Sequence, residues 1–98
     1  MTIRFSVFYP SGEGSTFDKD YYVSTHVPLA VKNWGLDPKN AQIDLGLNGP
    51  YVAAVHFLFP DNEALGAAMG SAGTGEVMAD MANYTNIQPV IQTSEIVS

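Results

Sequence analysis

Residues 38–60, PKNAQIDLGLNGPYVAAVHFLFP, decide how this chain folds. In the first half, Ala41, Ile43, Leu45 and Leu47 alternate with the polar Gln42 and Asp44. Asn48-Gly49-Pro50 follows as a turn signal, because glycine and proline punctuate a chain most strongly. In residues 51–60, Ala53, Val55, Phe57 and Phe59 fall on one side and His56 on the other. A period of two is that of a strand with one buried face. Two such runs around a tight turn predict an antiparallel hairpin.

On the N-terminal side of the hairpin, residues 2–10 alternate as well. Ile3, Phe5, Val7 and Tyr9 point one way, and Thr2, Arg4 and Ser6 the other. Pro10 and the SGEGS loop end this strand. A helix is expected over residues 17–34, with Ser15 as N-cap, Asp18 completing a capping-box-like start and Gly35 as the residue just past its end. Pro28 lies inside it and should kink the axis, because it removes one backbone hydrogen bond. On the C-terminal side, Asp61 caps a helix running through Met69. The run Gly70-Ser71-Ala72-Gly73-Thr74-Gly75 reads as a flexible interhelical loop, followed by a short helix over 75–83 and a last strand over 89–97. The order β-α-β-β-α-β is the split ferredoxin-like unit, an α+β fold whose four-stranded antiparallel sheet carries helices on one face. On the uncovered face Arg4, Ser6, Gln42, Asp44 and His56 mix with Phe8, Val52, Ala54, Leu58 and Ile96. That mixture suits a sheet packed against a twin, and a two-fold homodimer is the commonest closed assembly.

The 98 residues form one domain, 1–98. The formal charge is −6, and Arg4, Lys19, Lys32 and Lys39 are the only lysines and arginines. Four scattered cations make no phosphate-tracking surface, which argues against nucleic-acid binding and against anionic membranes. The chain has no cysteine, so disulfides, thiolate metal sites and cysteine nucleophiles are excluded. No run approaches the roughly 18 apolar residues of a membrane span. With no basic, apolar leader pattern at the start, the expected location is the cytoplasm.

The chemistry-bearing stretch is residues 17–29, FDKDYYVSTHVPL. It sets Asp18, Tyr22 and His26 at a spacing of one helical turn, on one face. An imidazole can give and take protons at neutral pH, so His26 is the candidate general acid or base. Tyr22 is the candidate donor to a carbonyl or enolate oxygen. Asp18 reads better as a carboxylate favoured by the positive end of the helix. Tyr9, Trp34, Phe57 and His56 are the candidate substrate-binding residues, with His56 also read as a contact residue on the polar sheet face. Asp80, Asn83, Tyr84 and Thr85 read as a structural device bonding backbone amides near a helix end. The glycine run at 70–75 lacks the Lys-Ser/Thr of a phosphate loop and follows a helix, not a strand. Two histidines thirty residues apart, with no local ligand pair, are a weak metal signal, so neither metal nor cofactor is expected.

These residues resemble the EthD family of small bacterial proteins. The resemblance rests on Tyr9-Pro10, Phe17-Asp18, Tyr21-Tyr22, His26, Pro28-Leu29 and Gly35, and continues through Pro50-Tyr51, Phe57-Leu58-Phe59, Glu63-Ala64-Leu65, Asp80 and Asn83-Tyr84-Thr85. Its most specific element is the YYxxxHxPL pattern at residues 21–29. His56 lies outside the pattern. The resemblance implies a ferredoxin-like protomer that pairs into a dimeric α+β barrel. EthD is named for its link to bacterial degradation of ethyl tert-butyl ether, where a cytochrome P450 carries out the oxidation. Related dimeric barrels include cofactor-independent quinone-forming monooxygenases and muconolactone isomerases, and fungal members are linked to dehydration in aromatic polyketide pathways. The resemblance therefore implies small-molecule catabolism or secondary metabolism, with isomerase, dehydratase or monooxygenase chemistry on a small hydrophobic or aromatic metabolite. The alternative is a non-catalytic ligand-binding or accessory protein supporting a partner oxygenase.

Overall fold

Alternating apolar residues make β1 (Ile3–Pro10) the natural centre of a sheet, and the chain uses it so. In the computed structural model, which describes residues 2–97, β1 pairs antiparallel with β3 (Tyr51–Phe59) on one side and β4 (Val90–Glu95) on the other. Strand β2 (Ala41–Leu45) joins β3 through the expected hairpin, giving the order β2-β3-β1-β4. The parity read from the sequence holds. Ile3, Phe5, Tyr9, Ala53, Val55, Phe57 and Phe59 are all buried on the helix-covered face. Burial of each phenylalanine there contributes roughly 1.5–3 kcal/mol. On the other face Phe8, Val52, His56 and Leu58 are half-buried, and Arg4, Gln42 and Asp44 are exposed.

The first helix departs from the expected continuous run over 17–34. It opens with α1 (Lys19–Tyr21), widens into a π turn over Tyr22–His26 and continues as α2 (Val27–Trp34). Val27 N–H reaches back to the Tyr22 carbonyl, five residues away. Pro28 explains the widening. It has no N–H for the Ser24 carbonyl, and its ring would crowd that carbonyl in an α-helix. The π turn opens the coil just before it, and proline then sits in the first turn of α2, where it is tolerated. Gly35 ends the helix in the left-handed region at φ 65°, while Leu36 N–H bonds the Val31 carbonyl at 3.0 Å.

The cap differs too. Ser15 closes its own loop on the Gly12 carbonyl at 2.7 Å, and Asp18 is the N-cap, accepting from Tyr21 N–H at 3.1 Å. The helix starts late because Phe17 is still extended, in a β-bridge with Thr85. Around that bridge, Asp18 N–H donates to the Tyr84 carbonyl at 2.8 Å, and Thr85 Oγ1 donates to the Thr16 carbonyl at 2.6 Å. This stitching ties the start of the first helix to the segment after the last one.

Helix α3 (Asn62–Met69) is capped by Asp61, as expected. The glycine run beyond it is not a flexible loop. Helix α4 (Ala72–Asp80) begins inside it and is followed by a 3₁₀ turn, Met81–Asn83. Packing overrides propensity at this point. A Cβ added to Gly73 would lie 2.9 Å from Asn33 Cβ, so only glycine lets α4 approach α2 this closely. Across the same contact Trp34 Nε1 donates to Thr74 Oγ1 at 2.9 Å.

Candidate active site

The π turn, the α4 end and β1 converge on one polar cluster in an otherwise apolar interior. His26, only 6% exposed, is bonded through both ring nitrogens. Its Nδ1 lies 2.9 Å from Asp80 Oδ2, and its Nε2 lies 3.1 Å from the Tyr84 hydroxyl. That hydroxyl lies 2.8 Å from the hydroxyl of Tyr9. The result is a continuous chain Asp80–His26–Tyr84–Tyr9. Tyr21 and Asn83 both donate to the second Asp80 oxygen, Oδ1, at 2.7 Å and 2.9 Å.

Electrostatics sets the protonation states. Burial alone would push the Asp80 carboxyl up, but hydrogen bonds from Tyr21, His26 and Asn83 outweigh it and hold the group below the usual carboxylate range. Burial pushes the His26 imidazole down by more than the Asp80 carboxylate lifts it. At neutral pH the pair is therefore a carboxylate and a neutral imidazole. Burial also raises Tyr9 and Tyr84, so neither phenol ionises on its own.

This chain reaches a cavity of about 260 Å³ between the sheet and the helices. Tyr9, His26, Trp34 and Phe57 all line it, together with Met69, Met78 and Met81. Trp34 stands edge-on to Phe57, with ring centroids 5.0 Å apart. An apolar cavity with a few convergent polar groups is the usual form of a small-molecule site. Among the described residues, no three His, Cys, Asp or Glu side chains converge in a way that could hold a metal ion. No helix among the described residues is long and apolar enough to cross a membrane.

Two expected members are placed elsewhere. Tyr22 shares a face with His26, their rings stacked at 5.5 Å, but it stands behind the cavity wall with no exposure. Its hydroxyl approaches Tyr9 without reaching hydrogen-bond geometry and has no other partner among the described residues. His56 lies on the opposite sheet face, because strand parity turns it away from Val55 and Phe57. There it bonds Ser6 Oγ at 2.7 Å and Asp44 Oδ2 at 3.2 Å. Asp18 caps its helix and does not join the cluster.

Asp80 and Tyr84 were missed as members. The carboxylate bonds the side chains of Tyr21, His26 and Asn83, not backbone amides. The available signal was the four-residue interval between Asp80 and Tyr84 at a helix end. Nothing local tells such a carboxylate from a cap.

A solved structure of an EthD-like protein from Ralstonia eutropha JMP134 matches this chain at 36% identity and a TM-score of 0.89, covering 99% of this chain and 93% of that one. The chain belongs to the EthD-like family. An EthD family protein from Bacillus halodurans C-125 matches at 20% identity and a TM-score of 0.77, over 99% of this chain and all (100%) of the other. A dimeric ferredoxin-like protein from Thermobifida fusca YX matches at 20% identity and a TM-score of 0.67, over 98% and 92% of the two chains. The last two likenesses show the ferredoxin-like fold. No protein-family model matches the chain, and no curated protein does either.

Proposed function

We propose that this EthD-like protein performs acid–base chemistry on a small hydrophobic or aromatic metabolite, of the isomerase, dehydratase or monooxygenase type. The observation that carries the reading is the hydrogen-bonded chain Asp80–His26–Tyr84–Tyr9, ending on the wall of an apolar cavity. A proton passes between the ligand and His26 along the two phenols. The imidazole takes it up and Asp80 stabilises the imidazolium, the role a buried carboxylate plays beside a histidine base. Tyr22 enters behind Tyr9, its unpartnered hydroxyl positioned to turn towards the Tyr9 oxygen as that oxygen gains charge. Trp34 and Phe57 hold the ligand by its apolar surface. A positioned acid–base group contributes roughly 10²–10⁴-fold.

The test does not need the natural substrate. Phenols, enolisable ketones and lactones that fit the cavity are incubated in heavy water, and deuterium entry at carbon is followed by NMR. The wild-type chain is expected to speed exchange for at least one class, and His26→Ala to lose about 10²-fold or more while staying folded. Equal exchange by the variant refutes the role of His26. Binding without exchange by the wild type leaves a ligand carrier or an accessory to a partner oxygenase.

We further propose that two copies pair through the uncovered sheet face. Phe8, Val52 and Leu58 lie there half-buried between polar groups, and the Thermobifida fusca protein of the same fold is described as dimeric. Leu58→Asp is expected to shift the sedimentation coefficient from dimer to monomer.

A further inference from the structure

The direction of every hydrogen bond in the chain follows from its charged end, Asp80. An ionised Asp80 can only accept. Tyr21 and Asn83 occupy Oδ1, so Oδ2 is left for His26. His26 Nδ1 therefore carries the proton, and Nε2 of the neutral ring is an acceptor. The Tyr84 O–H points to Nε2, and its oxygen then accepts the Tyr9 O–H. Tyr9, which lines the cavity, has directed its one proton away from it. Tyr22 approaches the Tyr9 oxygen as a donor without reaching hydrogen-bond geometry, and of the two lone pairs on that oxygen at least one is left for a ligand.

We propose that the cavity selects ligands whose polar group is a hydrogen-bond donor, a hydroxyl on a flat apolar skeleton such as a phenol or enol, and that Asp80 sets this preference as a positioning residue acting through three others. The inference rests on the cavity being the ligand site. A ketone or ether would meet only lone pairs at Tyr9 and leave a buried acceptor unpaired, which is the strongest form of discrimination a pocket has.

The same geometry makes the preference reversible. In Asp80→Asn, the donors Tyr21 and Asn83 hold the amide oxygen at the Oδ1 position. The amide nitrogen then faces His26 Nδ1 and donates to it. The imidazole shifts to the Nε2–H tautomer, Tyr84 accepts from it and donates to Tyr9, and the Tyr9 O–H turns into the cavity. The variant should favour acceptor ligands.

The experiment compares 2-naphthol with 2-methoxynaphthalene, which differ in the donor, by calorimetry at pH 7. In parallel, 15N NMR reads the His26 tautomer. The wild type is expected to bind naphthol at least ten-fold more tightly and to show Nδ1–H. Asp80→Asn is expected to show Nε2–H and to bind the ether more tightly than the naphthol. Equal affinities in the wild type overturn the donor preference and leave the ligand site standing. An Nε2–H tautomer in the wild type overturns the polarity. A folded variant that weakens both ligands alike overturns the role of Asp80. Failure of both ligands to bind the wild type removes the ligand-site reading as well. Should Asp80→Asn not fold, the wild-type affinity ratio and tautomer decide the question by themselves.

Discussion

Tyr22→Phe should make this protein more stable, although it deletes a polar atom from the aromatic cluster around Tyr9 and Tyr84. The Tyr22 ring is fully enclosed and packs on Phe17 at 4.9 Å, Tyr84 at 5.1 Å and Tyr9 at 5.4 Å between ring centroids. All of these contacts survive in phenylalanine. The hydroxyl has no hydrogen-bond partner. Leaving such a group unpaired in the interior costs about 1–3 kcal/mol. Deleting the oxygen leaves a space smaller than a methyl group, so the cavity penalty is small. The expected gain is about 1–2 kcal/mol. For a domain of this size, 1 kcal/mol moves Tm by roughly 4–8 °C. Urea unfolding at pH 7, monitored by circular dichroism, gives the comparison directly. A loss of about 1 kcal/mol or more would show that the hydroxyl is bonded in solution. The Tyr22 proton would then sit on one of the two lone pairs of the Tyr9 oxygen. A gain in stability joined to slower proton exchange is the pattern of a strained group retained at a functional site.

Two helix glycines should respond oppositely to alanine. Gly75 faces open space, so Gly75→Ala is expected to stabilise by about 0.5–1 kcal/mol through helix propensity. Gly73→Ala drives a methyl to 2.9 Å from Asn33 Cβ, and overpacking of about 1–3 kcal/mol should outweigh the same propensity gain. Thermal melts of the pair check both. Acid should destabilise the fold in two windows. His26 titrates below its ordinary value in the folded chain, so the unfolded chain binds more protons as pH falls below about 6.5, and stability drops there. Asp80 is also held low, so its stabilisation, present above about pH 4, is lost as pH falls through its folded value. Urea midpoints measured from pH 8 to 3 should show the first window flattened in His26→Gln.

The strands and their inward faces were legible in the sequence, because a period of two survives any tertiary arrangement. Ala53, Val55, Phe57 and Phe59 needed only the alternation to be placed. The start of α4 was not legible. Glycine propensity argued for a loop at 70–75, and only the proximity of Asn33 explains why Gly73 sits in a helix. The candidate site was legible in part. His26, Tyr9, Trp34 and Phe57 do line one cavity and Asp18 does cap its helix, but Asp80 and Tyr84 read as a device for bonding backbone amides.

By itself the sequence determined the element order, the buried face of each strand and the presence of an imidazole one turn after an aromatic. Those are properties of neighbours in the chain. Only the tertiary structure decided which carboxylate meets that imidazole. Asp80 is 54 residues from His26 and reaches it because the Phe17–Thr85 bridge draws the two helix ends together. Contacts across such distances depend on how packed elements settle against one another, which no local period encodes.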